Sequence, residues 1–169
     1  MAIGTDYKDT LLNYFEEEVA GESYFAGLAE HFDEPGAAEN LVLLARVERC
    51  AAEATRPLLA RNGLTPRTDE ELAIAGRGHV ARHEKKTWPE YVAYMLKQFP
   101  LYMPMFENLE SMAPAEDLPA LKILTEHEAA AIRFAKDGFG VGEFLANEFA
   151  THEEDYRRWP SNVKVFQPE

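Results

Sequence analysis

The chain of 169 residues carries 17 Lys and Arg against 30 Asp and Glu, a formal charge of −13, and 46% of its residues are hydrophobic. So acidic a surface repels phosphate and excludes nucleic-acid binding through a basic face, because Lys and Arg neutralising the phosphate backbone supply most of that affinity. The lone cysteine, Cys50, precludes an intrachain disulfide and a multi-cysteine metal cage, and suits a reducing compartment. Length and apolar content suit one domain over residues 1–169 with a single core. The longest unbroken apolar run, Tyr91 to Leu96, falls far short of the roughly 20 residues that cross a bilayer. No basic-then-apolar leader opens the chain, so the expectation is a cytoplasmic protein without a membrane partner.

Helical periodicity dominates, and no strand pattern competes with it. A first helix is expected from about Asp6 to Phe32, with Leu11, Phe15, Val19, Ala26 and Ala29 on one face, closed by Asp33-Glu34-Pro35-Gly36. A second runs from about Ala37 to Asn62 and ends on Asn62-Gly63, the chemistry of a left-handed cap. It carries two apolar stripes, one through Leu41, Leu44, Ala45, Ala52, Thr55 and Leu59, the other through Leu43, Val47, Cys50 and Ala54, so burial on more than one side is expected. The long connection from Leu64 to Thr87 holds a capping-box pattern at Thr68 and Glu71, and a short helix is expected before Gly76 or Gly78. Thr87 and Glu90 open a third long helix to about Met112, with Tyr91, Met95, Phe99, Tyr102, Phe106 and Leu109 inward and a kink or break at Pro100 and Pro104. Asp117 caps a fourth, which closes at Asp137-Gly138, and a fifth follows from about Val141 to Trp159. The fold class is all-α. Four long helices, short turns and one long crossover between the second and third give a ferritin-like four-helix bundle with an additional C-terminal helix.

Acids stand where the period demands apolar residues. At 100° per residue, Glu22 lies within about 20° of the line through Leu11 and Ala29, and Glu18 shares that stripe. Glu48 centres the arc of Leu41, Ala45, Ala52 and Leu59, and Glu128 the arc of Leu121, Thr125, Ile132 and Ala135. A buried carboxylate must be paired, protonated or bound to a cation.

The segment Ala20-Gly21-Glu22-Ser23 resembles the one that presents the first metal-binding glutamate in rubrerythrin-like proteins of the ferritin-like superfamily. In that superfamily one Glu on each of two helices and a Glu-x-x-His on each of the other two point inward around a di-metal site. The resemblance carries Glu22 onto the first glutamate, Glu48-Arg49-Cys50-Ala51 onto the second helix's Glu-x-x-His, and Glu128-Ala129-Ala130-Ala131 onto the fourth's. Ala51 and Ala131 stand where the family has histidine, and Gln98 where it has a third-helix glutamate. It implies a reduced, histidine-poor site for iron or manganese, with Glu22, Glu48 and Glu128 as ligands, Gln98 or His127 completing the shell, and, if the protein is an enzyme, metal-dependent redox or oxygen chemistry. The segments Leu44 to Glu48 and Leu124 to Glu128 also resemble each other, as in a duplicated helix hairpin.

Other candidates have plainer readings. His127 falls with Ile123, Ala130 and Phe134 on a neighbouring stripe, as an interhelix histidine would; His79 and His83, four apart, stand beside Arg77, Arg82, Lys85 and Lys86 and read as a solvated polar face; Glu148 and His152 read as packing or capping residues. Cys50 reads as a small buried hydrophobe, and Gly138 to Gly142 as a hinge after a helix. The aromatic and methionine stripe of the third helix is either core or the lining of a tunnel for a small apolar ligand. The alternative function is therefore a metal-free bundle that binds such a ligand or assembles with itself, for example as a homodimer through the second helix.

Overall fold

A computed structural model describes residues 6–148. Its elements are α1 (Tyr7–Ala29), α2 (Ala37–Arg61), α3 (Asp69–His79), α4 (Trp88–Gln98), α5 (Met103–Met112) and α6 (Leu118–Asp137), with single 3-10 turns at Val80–Arg82 and Phe99–Leu101. A further helix starts at 141 and is described to 148; the rest of the expected fifth helix, with His152, lies outside the described residues. Among the described residues there is no strand.

Local chemistry places the boundaries. Both capping boxes form: Thr68 accepts from the Glu71 amide while Glu71 takes the Thr68 amide, and Thr87 and Glu90 are joined in the same way. Gly63 and Gly138 take positive φ of 70° and 75° just past the ends of α2 and α6. Pro100 and Pro104 remove two donors from what would be one helix, and the chain answers with a 3-10 turn at Phe99–Leu101 between α4 and α5.

Cross-contacts fix the running sense of neighbours. Lys8 donates to the Asn62 carbonyl and Arg49 pairs with Glu22, so α1 and α2 are antiparallel. Phe25 meets Phe99 and Tyr14 meets Phe106, so α4 and α5 run against α1. Glu110 accepts from Thr125 across the α5–α6 hairpin, and His127 faces Glu48 while Asn62 reaches Asp117, so α6 runs against α2. The core has two parts. Leu11, Phe15, Leu59, Phe106 and Leu121 belong to one, and Leu28, Leu41, Tyr91, Met95 and Phe134 to the other. Leu44, Val47, Cys50 and Leu59 are all buried, so both stripes of α2 are covered within the chain.

Two expectations are corrected. Asp117 precedes α6, but its side chain caps nothing; it is buried and accepts from Tyr7 Oη at 2.5 Å and Asn62 Nδ2 at 3.1 Å while pairing with Arg61, tying the ends of three helices together. The crossover helix does not stop before Gly76 or Gly78 but continues to His79. Gly76 is a contact rather than a terminator, since a Cβ there would meet the Ala20 backbone, 2.9 Å from its carbonyl carbon. Leu72, Gly76 and Val80 lay α3 and the turn after it along α1, with Val80 over Gly27.

Gly76→Ala should lower unfolding free energy in urea by about 1–3 kcal/mol, as over-packing does. Gly78→Ala, where an added Cβ meets nothing within 4 Å, should instead raise it by about 0.5–1 kcal/mol, the usual gain in an exposed helix.

Candidate metal centre and adjoining cavity

The buried face of α1 comprises Thr10, Leu11, Tyr14, Phe15, Glu18, Val19, Phe25 and Leu28. Counting Tyr14, Phe25 and Leu28 centres this arc on Glu18 and leaves Glu22 about 40° to one side. Glu18 is 3% exposed, and Glu22 instead forms an ion pair with Arg49 at 3.1 Å, its side chain 19% exposed. Glu48 and Glu128 project inward from α2 and α6, 8% and 6% exposed, and His127 is fully buried beside Glu128. Gln98 is half-buried and does not line the cavity at this centre. The structure thus brings Glu48, Glu128 and His127 together with Glu18, and places Glu22 and Gln98 elsewhere. Gly21 makes the approach of α1 to α2 close enough, since a Cβ at that position would strike the Glu48 carboxylate.

One ligand atom each from Glu18, Glu48 and His127 lies within 4.8 Å of the others. His127 Nε2 is 2.8 Å from Glu18 Oε2 and 3.7 Å from Glu48 Oε1, while Nδ1 bonds the Leu124 carbonyl of its own helix. A carbonyl only accepts, so Nδ1 carries a hydrogen, and Nε2 is the ring nitrogen that faces the two carboxyls. This is the orientation in which backbone-anchored histidines ligate metals.

The carboxyls are held away from their ordinary ionisation. Burial pushes Glu18 up to about 8, with Glu128 adding to the rise and a hydrogen bond to Glu48 opposing it. Burial also raises Glu128 to about 8, against the pull of His127. Glu48 lies well above the usual carboxylate range, first through burial and then through Glu18 beside it. A hydrogen bond between two carboxyls needs a proton on one of them, so the metal-free pair shares at least one proton near neutrality. Glu128 Oε1 is buried without a hydrogen-bond partner among the described groups, and an oxygen left in that state suits a cation.

The centre opens onto a cavity of about 300 Å³ walled by aromatic side chains, among them Tyr24, Phe25, Tyr94, Phe99 and Tyr102. The third helix's aromatic stripe is therefore divided. Tyr91, Met95 and Leu109 are core alone, whereas Phe99 and Phe106 belong to the core and, with Tyr102, also line the cavity where the proline break occurs. His83 is not on a solvated face as its charged neighbours suggest. It is 7% exposed, packed 4.4 Å from the Tyr94 ring and against Tyr24 and Tyr91, and it lines the cavity with the exposed His79.

The raised carboxyls make stability fall with pH. An acid that holds its proton more tightly folded than unfolded favours the folded state below its unfolded value of 4.5 and loses that contribution as pH rises to about 8. The metal-free protein should therefore show a thermal midpoint that declines between about pH 5 and pH 8. Glu18→Gln and Glu128→Gln should each flatten that decline when the midpoint is followed by circular dichroism.

Comparison with protein-family models, with curated proteins and with solved structures returns no match.

Proposed function

We propose that the chain is a ferritin-like four-helix bundle whose reduced carboxylate–histidine centre binds a divalent transition metal, iron or manganese, and serves redox or oxygen-dependent chemistry. The bundle comprises α1, α2, the broken pair α4–α5, and α6. Each neighbour inferred from the cross-contacts runs antiparallel to the next, and the α3 segment serves as the crossover. The carrying observation is the convergence of Glu18, Glu48 and His127 from α1, α2 and α6 on a volume small enough for one ion. Glu128 stands beside them with a buried, unpartnered oxygen.

Two carboxylates and an imidazole form the donor set that non-haem iron and manganese accept, and three or four protein ligands leave coordination positions towards the cavity. Bound there, the metal would supply Lewis acidity and electron transfer. The chain's own residues would hold it dry, with Phe106 edge-on to the His127 ring at 5.5 Å and the Leu124 carbonyl fixing the imidazole. Binding must displace the shared carboxyl proton, so affinity should rise with pH up to about 8.

The test is calorimetric titration of metal-free protein with Mn(II), with electron paramagnetic resonance to count bound ions. Near-stoichiometric binding in wild type, weakened at least about tenfold in Glu48→Gln and His127→Ala, supports the centre. No saturable binding of Mn(II) or Fe(II) in folded wild type overturns it.

A second reading, a metal-free bundle that takes an apolar small molecule, draws support from the aromatic cavity and from carboxyls that stay protonated without a cation. Under that reading Glu48→Ala leaves the protein folded and equally or more stable, because a buried acid is replaced. Under the metal reading it abolishes the rise in thermal midpoint that Mn(II) brings.

A further inference from the structure

The cavity is chemically unlike at its two ends. Glu18 and Glu48, with His127 and Phe106, occupy one. Tyr24 lies six residues further along α1, about 9 Å along its axis, and there the wall is His83, Tyr94 and Phe99 with the Val80–Arg82 turn seated over Gly27. That end is rimmed by cations. Arg82 lines the cavity from an exposed position, and Lys86 Nζ stands 6.0 Å from the Tyr94 ring. Both act on His83, depressing its protonation together with burial, and its Nδ1 is buried without a hydrogen-bond partner. A basic rim is exceptional on a chain of charge −13, and it steers anions to this opening.

We propose that this cavity binds a small aromatic carboxylate, its ring between the Tyr24, Tyr94, Phe99 and Tyr102 side chains and its carboxylate at the Arg82 rim. The proposal deepens the metal-centre reading, and rests on it, by naming the substrate class that the centre would face. Size limits the ligand. About 300 Å³ is the lower end of small-molecule sites and holds one substituted ring rather than a dinucleotide or a long acyl chain. Orientation follows from charge. The inner end, at Glu18, Glu48 and Glu128, offers no guanidinium or ammonium to an anion, whereas the guanidinium fork at the rim matches a carboxylate. The rim sits at the C-terminal end of α3, where the helix dipole is negative and costs a phosphate dianion more than a carboxylate monoanion.

Titration calorimetry on the full chain, metal-free and Mn(II)-loaded, would use benzoate as the probe, with benzamide, acetate and phenyl phosphate as comparators. Benzoate is expected to bind more tightly than all of them. Arg82→Gln, at an exposed position, should weaken benzoate about fivefold, the upper range of a solvent-exposed ion pair, and leave Mn(II) affinity unchanged. Benzamide equal to benzoate, phenyl phosphate tighter than benzoate, or benzoate binding indifferent to Arg82→Gln would each overturn the assignment. Indifference combined with a requirement for Mn(II) would put the carboxylate on the metal. Mn(II) binding without benzoate binding overturns this proposal and leaves the metal centre standing. Benzoate binding without Mn(II) binding overturns the metal centre and leaves the ligand assignment supported.

Discussion

Removing carboxylates from water is the constraint around which the molecule is arranged. Glu18, Glu48 and Glu128 come from three helices whose remaining inward residues are apolar, so their carboxyls share one dry volume with His127. Full ionisation of all three there is prohibitive. The chain has two ways of avoiding it, retaining protons or taking up a cation, and the geometry accommodates both. Protons are retained through the Glu18–Glu48 hydrogen bond and the raised carboxyl pKa values. A cation is accommodated because His127 Nε2 and carboxyl oxygens of Glu18 and Glu48 already converge, with the unpartnered Glu128 oxygen beside them. A site that switches between these states couples metal uptake to proton release.

Such convergence demands close helix approach, and glycines supply it where the acids lie. Gly21 faces Glu48, so the carboxylate occupies the space that a side chain on α1 would fill. The next residue, Glu22, pairs with Arg49, which also approaches Glu53 and Asp69 and so links α1 and α2 to the start of α3. Gly76 brings the crossover helix onto the Ala20 backbone. The crossover therefore forms one wall of the cavity and is more than a connector, and its position is set by a contact one residue away from Gly21.

Much of this was legible in the sequence because the signals were local. Capping boxes, proline breaks and glycine caps act over three or four residues, and the elements they delimit lie within a few residues of expectation. Glu48 and Glu128 were legible too, since each sits at the centre of a long apolar arc. The choice between Glu18 and Glu22 was harder: a stripe drawn through Ala26 and Ala29 tilts the arc towards Glu22, whereas the larger burial of Tyr14, Phe25 and Leu28 tilts it back to Glu18. Aromatic residues define a buried face better than alanines, which fit both faces of a helix. His83 was not readable from its surroundings, because Arg82, Glu84 and Lys85 beside it are exposed and only the chain's turn after α3 rotates the imidazole inward. Nor did the pattern around Asp117 disclose that its carboxylate serves Tyr7 and Asn62, which are far away in sequence.

The proline break ties the acid centre to its cavity. An uninterrupted helix from Trp88 to Met112 would carry Tyr91, Met95, Phe99, Tyr102 and Phe106 along one continuous stripe, and close packing against α1 and α6 would leave little room between them. The 3-10 turn at Phe99–Leu101 changes the rise and the angular step midway. Met95 stays wholly in the core, whereas Phe99, Tyr102 and Phe106 also reach the cavity that begins at Glu18 and His127. The same break that loosens the third helix thus gives a buried, charged centre an apolar anteroom. The only guanidinium that borders the cavity among the described residues, that of Arg82, stands at the end away from Glu18 and Glu48.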